Sequence, residues 1–250
     1  MKKYILFFLS IIILNSCKKE TQSLVRIEGK LLPITKEIKS VQQIDSFILP
    51  YKLKVEKEMN TILSYTKKDL VRTDGILESS LGNLMADMCF ERANPIFNSR
   101  TGKNIDFALF NYGGIRAGIT KGDITTANAF NLMPFENSLV VVELTAKKVN
   151  ELVQYLIDKH IANPISKHIK LAISDNSYDL KIKNKKLDPA KTYFVLTSNY
   201  LQKGGDQMTF FSNPVSINLL DYKVRNAIID YFSEKDTIYS NLDNRFIQIK

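Results

Sequence analysis

In 250 residues the chain has two histidines, His160 and His168. A hydrolase built on two metal ions needs several histidine and carboxylate ligands to hold them about 4 Å apart. These histidines flank a break at Pro164, and no acidic cluster accompanies them at ligand spacing. They read as surface or internally satisfied side chains. Cysteine is as scarce, with Cys17 and Cys89 alone. A phosphate-cradling Gly-x-x-x-x-Gly-Lys-Ser/Thr loop and a Gly-x-Ser-x-Gly nucleophile elbow are both missing, so neither P-loop nor serine-hydrolase chemistry has its residues here. Internal repeats and long low-complexity linkers are absent too. With 44% apolar residues, the chain has core enough for one large domain or two small ones.

The run Tyr4–Leu14, about eleven residues, is too short to span a bilayer but fits a signal-peptide core behind Lys2 and Lys3. It ends in Leu14-Asn15-Ser16-Cys17, which resembles the bacterial lipoprotein box. The sequence therefore predicts a signal peptide over 1–16, lipidation of Cys17, and a cell-envelope protein anchored to a membrane through that lipid. The alternative is a simple cleaved signal peptide with an incidental cysteine. Residues 17–40 read as a tether. Leu81, Leu84, Met85, Met88 and Cys89 fall on one helical face, so Cys89 is expected as a core thiol with no disulfide.

The net charge of +9 falls to about +7 without Lys2 and Lys3. Its lysines are scattered or in short clusters such as Lys67-Lys68, Lys147-Lys148 and Lys185-Lys186, with no arginine stripe interleaved with aromatics. They read as solvated faces, and no nucleic-acid partner is expected.

Residues 41–250 read as one domain. Val41–Leu63 predicts two helical or extended pieces broken at Pro50. Ser79 or Ser80 caps a helix over Leu81–Arg92, and Ile105–Phe110 reads as a strand. Gly122–Asn128 looks like a turn, with Thr126 capping a short helix to about Leu132. Ser138–Leu144 reads as a strand, and Thr145 caps a helix striped by Val149, Leu152, Val153 and Leu156. Strands are expected at Lys170–Ile173, Tyr178–Ile182 and Thr192–Thr197, the last after a turn at Asp188–Lys191. A helix over Asp221–Phe232 and a strand over Arg245–Ile249 complete the order. This predicts an α+β fold of layered helices and mixed sheet.

The most informative stretch is Asn111-Tyr112-Gly113-Gly114-Ile115-Arg116, directly after the apolar run Ile105–Phe110. A strand running into paired glycines lets bare backbone approach a ligand. Arg116 adds a planar fork of donors suited to phosphate or carboxylate, and Asn111 can donate and accept. A plain strand–turn with a surface arginine explains the same residues.

Other segments stand in order with it: Glu78–Leu84, Gly122–Thr125 with Leu132-Met133-Pro134-Phe135-Glu136-Asn137, and Tyr193–Thr197 leading to Asn199–Asp206. Over roughly Leu63–Lys250, this order and spacing resembles the C-terminal, substrate-binding domain of the 5′-nucleotidase family, which includes UDP-sugar hydrolases and 2′,3′-cyclic phosphodiesterases. The resemblance implies that Asn111 and Arg116 face the phosphate end of a nucleotide, that Gly113 and Gly114 belong to the same substrate-binding site, and that Phe135 and Tyr200 sandwich the base. It implies that Asp206, after Gly204-Gly205, accepts hydrogen bonds from ribose hydroxyls. Aromatic stacking suits any base, at about 1–3 kcal/mol per stack. Tyr200 departs from the family's usual phenylalanine; it still stacks, but its hydroxyl needs water or a partner. The family often has arginines ahead of the Leu81 helix; here the candidate is Arg72, at a poorly fitting spacing.

In the family, chemistry belongs to an N-terminal metallophosphoesterase domain with Asp-x-His, Gly-Asp, Gly-Asn-His-Glu and Gly-His-x-His motifs, none of which occurs here. No catalytic residue and no cofactor is expected in this chain. Divalent metals are expected only in a partner. The expectation is an exported half-enzyme that binds nucleotides or nucleosides and acts in nucleotide hydrolysis with a separate metallophosphoesterase subunit. A stand-alone nucleotide-binding lipoprotein and a degenerate domain that binds nothing are the rivals.

Overall fold

The computed structural model describes residues 23–175 and 177–249; the signal segment and Cys17 lie outside the described residues. The chain divides into two units, Met1–Ile48 and Leu49–Lys250. In the first, residues 23–41 form neither helix nor strand and are exposed throughout. Helix α1 (Gln42–Met59) begins there and continues through Pro50, where the sequence predicted a break. None of its residues is buried. The carbonyl that loses its donor at Pro50 is thus at the surface, where water can satisfy it and the helix tolerates the proline.

The second unit starts with β1 (Ile62–Thr66) and α2 (Ser80–Thr101). Ser79 is the cap of α2, accepting from Gly82 N at 3.0 Å. The helix runs past its predicted end at Arg92, through Pro95, and stops at Gly102, whose φ of 69° suits a residue without Cβ. Leu81, Leu84, Met85, Met88 and Cys89 are all buried, as their spacing predicts; Cys89 is a free thiol whose pKa burial pushes up.

Next come β2 (Phe107–Ala108), β3 (Gly122–Thr125), α3 (Thr126–Leu132), β4 (Ser138–Thr145) and α4 (Ala146–Lys159). β2 is shorter than the Ile105–Phe110 run, because Leu109 bridges to Ile165 and Phe110 N turns to the Pro164 carbonyl. Gly122–Thr125 is a strand paired with β1, not a turn, and Thr125 is the cap of α3. Thr145 caps α4 as predicted.

The remaining elements are β5 (Ile169–Ile173), β6 (Tyr178–Ile182), β7 (Lys185–Lys186), β8 (Thr192–Ser198), α5 (Asn199–Gln202), β9 (Ser216–Lys223), α6 (Val224–Ser233), β10 (Thr237–Ile238) and β11 (Phe246–Gln248). β9 was not foreseen and takes the start of the helix expected from Asp221. As an edge strand it leaves Ile217 and Leu219 exposed, so its alternating apolar residues mark no buried face.

Among the described residues three mixed sheets form, ordered β10-β1-β3, β11-β5-β6-β7 and β2-β8-β4-β9. The last is central. β4 lies antiparallel to both β8 and β9, and Leu139, Val140, Val141 and Val142 are each fully buried, so both faces of the strand are covered. Helices α4 and α2 both pack on it, and α6 packs on α2. The fold is the expected α+β class, and no described helix is long and apolar enough to cross a membrane.

The Glu78–Leu84 segment has a structural role. Glu78, 6% exposed, accepts from Asn83 Nδ2 at 2.8 Å and from the backbone N–H groups of Asp243 and Asn244 at 3.2 and 2.8 Å. Nearby Arg245 makes five hydrogen bonds, to both oxygens of Asp243, to Asp87, and to the Asn83 and Ile165 carbonyls. This network fastens the segment before β11 to the start of α2.

Candidate functional site

Three of the predicted segments meet at one cavity of about 290 Å³. From β2 the chain enters a single 3₁₀ turn at Tyr112–Gly114, closed by Gly114 N on the Asn111 carbonyl at 3.0 Å. Neither Gly113 nor Gly114 takes a positive φ. What demands glycine is space: a Cβ at Gly114 would lie 2.8 Å from Asn111 Oδ1. Arg72 braces the back of this turn, donating to the Ile115 carbonyl at 2.7 Å and to that of Tyr112 at 3.3 Å, with its guanidinium 4.4 Å over the Tyr112 ring. Arg72 thus supports the turn, and Arg116 is the arginine that lines the cavity. Arg116 is exposed, with a long 3.4 Å contact to the Gly113 carbonyl.

Phe135 comes from the loop between α3 and β4. It is 41% exposed, and the Arg116 guanidinium lies 5.9 Å from its ring centre. The loop is held from behind by Arg225 on α6, which donates to the Met133 and Phe135 carbonyls at 3.3 Å each, pairs with Glu136, and sits 4.2 Å over the Phe130 ring. That hydrogen bond and the Arg225 charge hold the Glu136 carboxyl below its ordinary pKa. Asn137 also lines the cavity.

Tyr200 and Asp206 follow β8. Ser198 caps α5, and Asn199 Oδ1 accepts from Ser138 N at 3.0 Å, tying this segment to the start of β4. Tyr200 is 45% exposed. Gly204 takes a φ of 89°, and Asp206 and Gln207 are also left-handed, at 51° and 63°. Left-handed backbone costs about 1–3 kcal/mol at a residue other than glycine, least for Asp and Asn. Neighbours hold it in place: Tyr155 on α4 donates its hydroxyl to the Asp206 carbonyl at 2.9 Å, and Lys159 reaches Gln207 Oε1 at 3.0 Å. Burial, then the charges of Asp206 and Tyr200, push the Tyr155 pKa up.

The Asp206 carboxylate is met on both oxygens. Asn111 Nδ2 donates to Oδ2 at 2.6 Å and the Tyr200 hydroxyl donates to Oδ1 at 2.8 Å. Tyr200 has therefore found the partner its hydroxyl requires. Asn111, expected at the phosphate end, has its amide engaged with the group expected at the ribose end.

Asn111, Gly113, Gly114, Arg116, Phe135, Tyr200 and Asp206 all line the cavity. Gly204 and Gly205 stand behind it, shaping the turn. Sequence reasoning missed Asn137, Tyr155 and Arg225. Asn137 stood in a quoted segment, whereas the other two lie on helices with no motif to mark them. Among the described residues, no three His, Cys, Asp or Glu side chains cluster to hold a metal ion. His160 is exposed at the C-cap of α4, and His168 stacks on Phe90 at 3.7 Å. These residues do not fit a metal centre.

Residues 61–213 match the family model described as 5′-nucleotidase, C-terminal domain. The chain is 30% identical over 215 residues to protein UshA of Escherichia coli, covering 81% of this chain and 37% of UshA. It is 29% identical over 219 residues to the trifunctional nucleotide phosphoesterase YfkN of Bacillus subtilis, covering 78% of this chain and 14% of YfkN. Among solved structures, the 5′-nucleotidase precursor of Thermus thermophilus superposes with a TM-score of 0.67 at 24% identity, over 82% of this chain and 42% of that one. The chain thus spans less than half the length of each of these relatives. It belongs to the family of 5′-nucleotidase C-terminal domains.

Proposed function

We propose that this domain binds a nucleoside or nucleotide, with the base between Phe135 and Tyr200, the ribose diol on Asp206 and the phosphate toward Arg116. The observation that carries this reading is that two half-exposed aromatic rings, a carboxylate and a guanidinium with no ion pair among the described residues share one cavity, from distant segments. Flat rings accept any base, and the charges suit opposite ends of a nucleotide. The relatives' names, nucleotide phosphoesterase and 5′-nucleotidase, point to the same ligand class.

The larger role is nucleotide hydrolysis together with a separate metallophosphoesterase subunit, which supplies the divalent metals. A lipid on Cys17 keeps the pair at the cell envelope. This rests on the residues around Cys17 and on the family's metal motifs, which are missing from these 250 residues. Calorimetry with adenosine and AMP tests the binding. Failure of the wild-type protein to bind either one sinks the reading. Recovery of a metal-dependent AMP phosphatase with the tagged protein supports the partner, and recovery of the tagged protein without one favours a stand-alone binder.

A further inference from the structure

We infer that the Tyr200 hydroxyl sets sugar selectivity, holding the Asp206 carboxylate in the orientation that accepts a ribose cis-diol; the inference rests on the nucleoside reading above. Asp206 is exposed and sits on left-handed backbone, so burial does not fix its side chain. Its orientation comes from two donors on different elements, Asn111 Nδ2 at 2.6 Å and the Tyr200 hydroxyl at 2.8 Å. An ionised carboxylate has about four acceptor positions. The two donors take one on each oxygen, and a cis-diol brings two more hydroxyls for those left over. A sugar without the diol leaves them to water.

The tyrosine ring is placed for this. A Cβ on Gly205 would fall 2.5 Å from Tyr200 Cε1 and Cζ, so the ring rests directly on the glycine backbone, one residue before Asp206. The hydroxyl therefore reaches the carboxylate while the ring still lines the cavity. Its hydrogen bond to Asp206, with burial adding to it, pushes the phenol pKa above its ordinary value, so it stays a donor through the neutral range. A phenylalanine here would give the same stacking surface and lose the clasp. Tyr200 thereby couples the base jaw to the ribose acceptor, and discrimination between ribose and dideoxyribose resides in its oxygen as well as in Asp206.

The test is calorimetry with adenosine and 2′,3′-dideoxyadenosine on the full chain and on Tyr200→Phe, Asp206→Gly and the double variant. Glycine suits the φ of 51° at position 206, so Asp206→Gly removes the carboxylate without backbone strain. Tyr200→Phe is expected to weaken adenosine about 5- to 10-fold, the cost of ordering an Asp206 carboxylate no longer held in its accepting orientation, and to leave dideoxyadenosine unchanged. In the Asp206→Gly background the same change should have no effect on either ligand. Equal weakening of both ligands, no weakening of adenosine, or an undiminished effect in the Asp206→Gly background would each overturn the inference while the cavity still binds nucleosides. Wild-type protein that binds neither ligand would overturn the parent reading, and this inference with it.

Discussion

Two regions of this protein use the same side-chain chemistry to opposite ends. At the start of α2, a carboxylate (Glu78), an amide (Asn83) and an arginine (Arg245) form a polar cluster that is almost wholly buried. At the cavity, a carboxylate (Asp206), an amide (Asn111) and an arginine (Arg116) stand together but open to solvent. In the buried cluster each Glu78 oxygen accepts from a backbone N–H of the C-terminal segment, and Arg245 donates along its whole fork. In the open one, Asp206 meets two protein donors, and among the described residues Arg116 forms no ion pair, with a long contact to a carbonyl and the Phe135 ring nearby. A polar group without solvent must be satisfied within the protein, whereas one at a cavity can keep capacity for a ligand. The difference teaches that motif chemistry alone does not mark a binding site. Unfilled hydrogen-bonding capacity at an accessible place does.

Stability should answer to the buried cluster and affinity to the open one. Arg245→Ala takes the guanidinium away from Asp87 and Asp243 and one donor from each of the Asn83 and Ile165 carbonyls. A loss of about 1–3 kcal/mol in stability is expected by denaturant unfolding, less than for a fully buried pair because both carboxylates keep access to water. Asp206→Asn keeps a residue tolerant of left-handed backbone and should change stability by no more than about 0.5 kcal/mol, while weakening adenosine. An Arg245→Ala protein as stable as wild type would end the contrast.

Phe135→Ala is next in size. Loss of one stacking face should cost about 1–3 kcal/mol of nucleoside affinity, roughly 5- to 150-fold in dissociation constant, with stability little changed because the ring is already 41% exposed. Arg225→Lys sharpens the comparison, since Arg225 is buried yet serves the open site. A lysine cannot reproduce its fork to two carbonyls and Glu136. The Phe135 loop should loosen, so a smaller loss of AMP affinity, about threefold to tenfold, is expected by calorimetry. Unchanged affinity would mean that Phe135 holds its place without Arg225.

How much of this the sequence reveals depends on the range of each interaction. Helix caps and stripes are local, so Ser79 as a cap, the Leu81–Cys89 face and Thr145 at α4 were legible. Seven of the eight residues that line the cavity were likewise legible, each carried by a short motif. Pro50 was misjudged because the helix around it is exposed, so water can satisfy the carbonyl it orphans. β9 was missed although Ile217 and Leu219 alternate with Ser216 and Asn218, because its end was absorbed into the helix expected from Asp221, and β3 because a four-residue strand headed by glycine looks like a turn. Tyr155 and Arg225 act across 51 and about 90 residues of sequence, a reach for which one sequence gives no signal. The Glu78–Leu84 motif was found, but its buried setting was not.

The smallest expected effect is a pH dependence confined to the edge of the buried region. His168 stacks on Phe90 and borders Asp87, which Arg245 holds. Burial lowers its pKa, and Asp87 opposes this without reversing it. A histidine whose folded pKa lies below its unfolded one adds stability that is fully present above about pH 6.5 and is lost as pH falls through that value toward the folded one. A second loss lies further down. Burial raises the Asp243 pKa, but the hydrogen bonds and charge of Arg245 outweigh it, and the net shift is downward. Its contribution is therefore complete above about pH 4 and disappears only below. Urea unfolding across this range should show two separate declines. His168→Gln should remove the upper one and leave the lower, whereas a persistent decline between pH 7 and 5 would assign it to another group.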